Sequence, residues 1–276
     1  VSKDDPNQVY PDLGEQEAGA ETTPAAEKPM GFFDHIEELR WVLVKSAAAY
    51  LLFAVLIGFF LKEFNDVLLW PFYQVQKNNP TLQIDLYTNS IMEGMTVPMQ
   101  LCFFGALAPA APFLFYFVAG FVAPALKENE KRLAMPGVLS AVLLFLLGAA
   151  FGFFMLMPTS LQVSVELNKY LGFQMRWTPD SYYTMLLWLV LGVGGSFEFP
   201  LLIVLLVYLG ILEVSTLRHY RRHAIVAIFL IAAVVTPTPD PLTQTLFAAP
   251  LWILYEIAIL VGARIEKKRA VRLKAA

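Results

Sequence analysis

Three observations predict an all-α polytopic membrane protein with six transmembrane helices. Of the 276 residues, 57% are apolar and only 16% are charged, against about 25% charged in an ordinary soluble domain, and mean hydropathy is +0.57. Cutting the chain at its charges leaves long uncharged windows at 94–126, 133–165, 181–197, 199–212, 224–239 and 241–255. Lys and Arg alternate in abundance between successive loops, as they do in polytopic membrane proteins.

Residues 1–29 hold Pro, Ala, Thr, Gly and seven acidic residues against Lys3 and Lys28. No apolar run there can nucleate a core, so the segment reads as a disordered acidic cytoplasmic tail. It also lacks the apolar centre of a secretory signal. From Met30, Phe32, Phe33, Ile36, Leu39 and Leu43 recur at helical spacing, with Asp34, Glu37, Glu38 and Arg40 on the other face. This predicts an interfacial helix leading into the first apolar stretch, Ser46–Leu61, with Lys45 and Lys62 snorkelling at its ends.

A span needs about 20 apolar residues. The predicted spans are 43–62, 97–120, 136–157, 184–209, 223–236 and 242–262, the fourth being one helix interrupted by Glu198. The fifth is short, because Pro237, Pro239 and Pro241 follow Ala224–Val235 at once. Twelve residues rise about 18 Å, less than a ~30 Å hydrocarbon core, so the bilayer thins there or the helix is sheltered by its neighbours. Placing the N terminus in the cytoplasm puts 16 of the 20 Lys and Arg residues on that side, so both termini are predicted to be cytoplasmic. The membrane domain covers 30–266, and 267–276 form a basic cytoplasmic tail. The far-side loops, about 63–96 and 158–183, are amphipathic and suit caps on the membrane surface.

Composition also excludes function classes. Near balance of acids and bases gives no electrostatic footprint for nucleic acid. Cys102 is the only cysteine, so an intramolecular disulfide and any Cys-clustered metal site are ruled out, and no metal or other cofactor is expected. There is no Walker loop or dinucleotide fingerprint. His35, His219 and His223 fall at predicted span edges, Ser196 has no intramembrane base to activate it, and no aspartate lies within a span. No catalytic residues are expected.

Three clusters remain as candidate sites. Glu198, in Gly194-Gly195-Ser196-Phe197-Glu198-Phe199-Pro200, is an ionisable group in mid-span, which marks function by default; a protonated carboxyl bonded to a neighbouring helix is the structural alternative. The stretch Phe121–Arg132 ends span two in a short charged loop. It is either a solvated connector or, through Glu128 or Glu130, a carboxylate that takes a guanidinium through two parallel bonds, with Glu38 a second acid on the same side. In Thr236–Gln244 the prolines and Asp240 are what any tight turn would use, while Gln244, together with Thr243 and Thr245, places amide and hydroxyl groups at the start of a span where a partner helix can bond.

These residues together resemble the TatC family, the receptor subunit of the twin-arginine protein translocase. The likeness runs from about Gly31 to Glu266 and rests on His35-Ile36-Glu37-Glu38-Leu39-Arg40, Phe121–Arg132, Ser196–Pro200 and Thr236–Gln244. The resemblance implies a concave, glove-shaped six-helix bundle in the inner membrane, its last two helices short. It implies a cytoplasmic face that binds signal peptides carrying an Arg pair, and export of folded proteins driven by the proton gradient. Glu130 and Phe121, with Pro124 and Glu128 in the same loop, match the recognition segment, and Glu38 and Arg40 contribute from the N-terminal helix. Glu198 matches the intramembrane glutamate, and Asp240 and Gln244 match polar positions beside the partner-helix site. The implied partners are the single-span TatB and TatA subunits and further copies of the chain in a homo-oligomeric receptor complex. Two departures stand out: Phe117 follows Tyr116 where the family often has Gln, and Trp41-Val42 stand where it usually has basic residues. A proton-coupled small-molecule transporter using Glu198 is the alternative, although no internal repeat is visible.

Overall fold

The computed structural model describes residues 32–80, 85–122, 128–236 and 240–275. The tail at 1–29, Pro124 and the prolines at 237 and 239 lie outside the described residues, and Glu128 and Glu130 are described in backbone only. The regular structure among the described residues is helical, apart from one isolated bridge between Leu86 and Trp177.

Helix α1 (Phe32–Phe59) is continuous, so the expected interfacial helix and first span are one rod. Two short helices follow, α2 (Leu61–Leu68) and α3 (Trp70–Asn78). The second crossing is α4 (Glu93–Gly105) and α5 (Leu107–Val122), joined at Ala106. The third is α6 (Glu128–Phe151), a π-helical turn at Gly152–Leu156, and α7 (Met157–Leu171). This run extends well beyond the predicted end at 157. Pro158 has no N–H to donate and would crowd the preceding turn of a regular helix; the wider π turn immediately before it absorbs the conflict. Next come α8 (Pro179–Ser196), α9 (Phe199–Leu209), the short α10 (Val214–His219), α11 (Arg221–Val235) and α12 (Pro241–Ala275).

Five helical runs among the described residues are long and apolar enough to cross a membrane: 36–59, 93–121, 135–171, 179–209 and 241–269. The expected fifth span corresponds to α11, whose 15 residues rise only about 22 Å. At the other extreme, α12 runs unbroken for 35 residues, so the helix continues through the sequence expected to be a tail.

Close helix approach is carried by glycine. On α6, a Cβ placed at Gly148 would lie 3.0 Å from Gly194 Cα and 2.8 Å from Phe197 Cγ; at Gly152 it would lie 3.2 Å from the Leu189 carbonyl oxygen. Small residues let backbones meet where lipid supplies no hydrophobic drive for association. The core is centred on α8, where Leu186, Leu189 and Val193 are fully buried among Leu156, Met157 and Phe247.

At the end bearing α2 and α3, polar groups lock the caps down. Asn79 is buried; its amide donates to the Val75 carbonyl (3.0 Å) and to Gln162 (3.1 Å), and its oxygen accepts from Lys169 (2.7 Å). The Tyr182 hydroxyl donates to the Leu68 carbonyl at 2.7 Å, and the Tyr183 hydroxyl to Asn65. Trp70 stacks on Phe153 and meets Phe154 edge-on, at 6.0 and 5.1 Å.

Candidate functional site

Helix α1 turns one face toward α5. Glu38, Trp41, Val42 and Lys45 follow the i, i+3, i+4, i+7 rule of a single helical stripe. Together with Tyr116, Phe117 and Phe121 of α5 and Met135 and Val138 of α6, they line a groove of about 660 Å³. The apolar residues that suggested an amphipathic helix, Ile36, Leu39 and Leu43, point outward and are exposed. In an apolar solvent the oily stripe faces out, and the polar Glu38 faces in. Glu38 is half-buried at the groove mouth.

Phe121 also lines this groove. Arg40 does not: it is exposed, pairs with Glu37 at 3.5 Å and lies over the Trp41 ring at 5.8 Å. It stands one position off the stripe, so its side chain leaves α1 on another face. The α6 backbone begins at Glu128, seven residues before the lining Met135, and carries Glu130 five residues before it. Lys45, Tyr116, Met135 and Val138 were not expected as lining residues. The spacing of Lys45 from Glu38 was the available signal, hidden because a lysine at a span end reads as a snorkelling anchor.

Glu198 sits at a slight break between α8 and α9. Its N–H donates to the Gly195 carbonyl (3.1 Å), and its carbonyl accepts from Leu202 (3.0 Å). Pro200 cannot donate back to the Ser196 carbonyl, which is why the helix yields here. The Glu198 side chain is half-buried, and its Oε1 is shielded with no hydrogen-bond partner among the described residues. Ser196 is occupied by the Gly192 carbonyl at 2.6 Å, consistent with packing rather than chemistry.

The third cluster serves the chain's own fold. Asp240 Oδ1 accepts from the Thr243 N–H at 2.7 Å, an N-cap ahead of Pro241 at the first position of α12. Thr243 is fully buried, so its hydroxyl does not face outward as expected. Gln244 Nε2 donates to the Phe229 carbonyl at 3.0 Å, tying α12 to α11. At the other end of α11, Arg221 pairs with Glu256 at 2.7 Å, and the Tyr255 hydroxyl donates to the Leu217 carbonyl at 2.9 Å. The short α11 is thus held at both ends by α12.

Comparison with known proteins agrees with this architecture. The family model described as "Sec-independent protein translocase protein (TatC)" matches residues 34–250. The Sec-independent protein translocase protein TatC of Azotobacter chroococcum is 33% identical over 245 residues, covering 89% of this chain and 94% of its own. The Escherichia coli (strain K12) protein of the same description is 30% identical over 236 residues, covering 82% and 85%. A crystal structure of the twin arginine translocase receptor TatC in DDM superposes with a TM-score of 0.71 at 32% identity, covering 83% of this chain and 99% of the other. With its multi-pass helical architecture, this chain belongs to the TatC family of Sec-independent protein translocase proteins.

Proposed function

We propose that the chain is the signal-peptide receptor of a twin-arginine translocase in the inner membrane, crossing it six times with both termini in the cytoplasm. The carrying observation is the groove between α1, α5 and α6, which sets a half-buried carboxylate, Glu38, beside apolar and aromatic walls that include Phe121. Such a pocket suits a peptide with a guanidinium followed by an apolar side chain. Glu38 and Glu130 each take one arginine of the pair, Phe121 packs on the apolar residue beyond, and Pro124 and Glu128 contribute to the same peptide-binding segment. A charge-assisted bond of this kind contributes about 1.5–3 kcal/mol, and the bidentate part of it is unavailable to lysine.

In this reading Glu198 acts after recognition, in translocation or partner arrangement. The single-span TatB and TatA helices pack beside α11 and α12, where Gln244, positioned by the Asp240 cap, is the polar contact and Thr243 a buried support. The proton gradient supplies the energy, and further copies of the chain complete the receptor complex. Membership of a protein translocase family favours this reading over a small-molecule transporter built on Glu198.

The test is binding of a fluorescent Arg-Arg signal peptide to the purified chain in nanodiscs. Lys-Lys replacement in the peptide, Glu38→Gln and Glu130→Gln should each weaken binding about tenfold or more, the equivalent of ~1.4 kcal/mol or above. Equal affinity for Arg-Arg and Lys-Lys peptides, or unchanged binding in both variants, overturns the proposal.

A further inference from the structure

The far end of α12 carries a basic surface that the groove does not use. From Arg264 to Ala275 the helix continues for 12 residues past its last uncharged turn, a rise of about 18 Å. It carries Arg264, Lys267, Lys268, Arg269, Arg272 and Lys274 against a single acid, Glu266. That acid is engaged, since its Oε1 accepts from the Val214 N–H at 2.7 Å at the start of α10. The side chains at 264 and 267–269 are exposed. Arg269 lies over Gly210 (φ 76°), the left-handed residue that ends α9, where a cation suits the helix's negative end.

Helix contacts put this surface at the same end of the bundle as the start of α1. Helix α1 runs antiparallel to the α4–α5 crossing, with Tyr50 bonded to the Phe103 carbonyl of α4 and Glu38 beside Phe121 of α5. Helix α6 starts where α5 ends and runs antiparallel to α8, with Gly148 against Gly194 and Gly152 against Leu189. Helix α12 runs alongside α9, Gly262 against Val207 and Arg269 against Gly210. The start of α1, the end of α9 and the end of α12 therefore emerge together.

We propose that the acidic segment 1–31, which enters α1 at this end, folds back onto the basic extension of α12. The segment has seven acids against two lysines, and the extension has the opposite balance. Reach is sufficient: the contact path α1–α5–α6–α9–α12 spans at most ~40 Å at 8–10 Å per helix step. A 31-residue segment has an r.m.s. length of about 31 Å and a far longer contour. Anionic lipid is the competing occupant. At physiological salt, screening acts over ~8 Å, whereas residues 272–274 lie about 12–15 Å along the helix from Arg264. A tethered chain reaches that far and is held at millimolar effective concentration.

The experiment uses the full chain, with Ser2→Cys and Ala270→Cys labelled for energy transfer in a Cys102→Ser background, in nanodiscs of phosphatidylcholine. The expected distance is about 20–25 Å, rising to ~50 Å, the value for an unattached 31-residue coil across a 40 Å bundle. The rise should follow each of three changes: all seven acids to Asn or Gln, Lys267, Lys268 and Arg269 to Gln, or salt raised to about 0.5 M. A distance indifferent to both sets of replacements, or one set by added phosphatidylglycerol instead, overturns the proposal. A second readout leaves Cys102 in place: a Glu-specific protease should cut segment 1–31 several-fold faster when the α12 cations are neutralised, and an unchanged rate argues against docking.

Discussion

Gly148→Ala and Gly137→Ala are the same chemical change on one helix, and the structure predicts opposite signs for them. In a helix interior, alanine is more favourable than glycine by about 0.5–1 kcal/mol. At Gly137 a Cβ meets nothing within 4 Å, so the whole gain is realised. At Gly148 the new atom lies 3.0 Å from Gly194 Cα and 2.8 Å from Phe197 Cγ. A backbone atom cannot turn aside, so α6 and α8 must separate, and overpacking of this kind costs about 1–3 kcal/mol. The net expectation is a loss of roughly 0.5–2 kcal/mol at Gly148, an apparent Tm lower by about 1–8 °C on the scale of a chain this size. Gly137→Ala should hold or raise the Tm. Thermal inactivation in mild detergent, followed by size-exclusion chromatography of the remaining monodisperse protein, makes the comparison. If Gly148→Ala is as stable as Gly137→Ala, the α6–α8 crossing is not governed by glycine contact.

Asn79→Ala strips partners from Gln162, Lys169 and the Val75 carbonyl, so a cost of about 1–3 kcal/mol and faster proteolysis between α1 and α4 are expected. Gln244→Leu frees the Phe229 carbonyl; hydrogen–deuterium exchange in α11 should rise while that in α8 does not. Arg221→Gln and Glu256→Gln break a partly exposed pair worth about 1 kcal/mol or less, so a double-mutant cycle by thermal inactivation should return a coupling within that bound.

Much of the fold was legible because charges bracket apolar windows: each of the five long spans overlaps its predicted position, and the break at Glu198 was placed correctly. Span ends were less legible. A helix in lipid continues until something stops it, and α7 and α12 run on through polar sequence that reads as loop or tail. Which side of a helix faces inward was hardest to read. Where every face is apolar, period alone cannot separate lipid-facing from buried positions, so the inward turn of Glu38 and the burial of Thr243 were not foreseen. Candidate residues were found where a charge interrupts an oily run; Lys45 and Met135 were missed because their types are ordinary at such depths.

The π turn at Gly152–Leu156 has a consequence beyond accommodating Pro158. A helix is a screw, and one surplus residue advances its phase by about 100°. Upstream of the turn, Gly148 is set against α8; downstream, Leu161 and Val165 are buried in the core with Phe72 and Val75 of α3. Excising a single residue from 152–156 would restore regular winding yet swing the downstream half away from its cap. The surplus residue therefore works as a gear offset, letting one shaft mesh with two partners whose teeth do not line up.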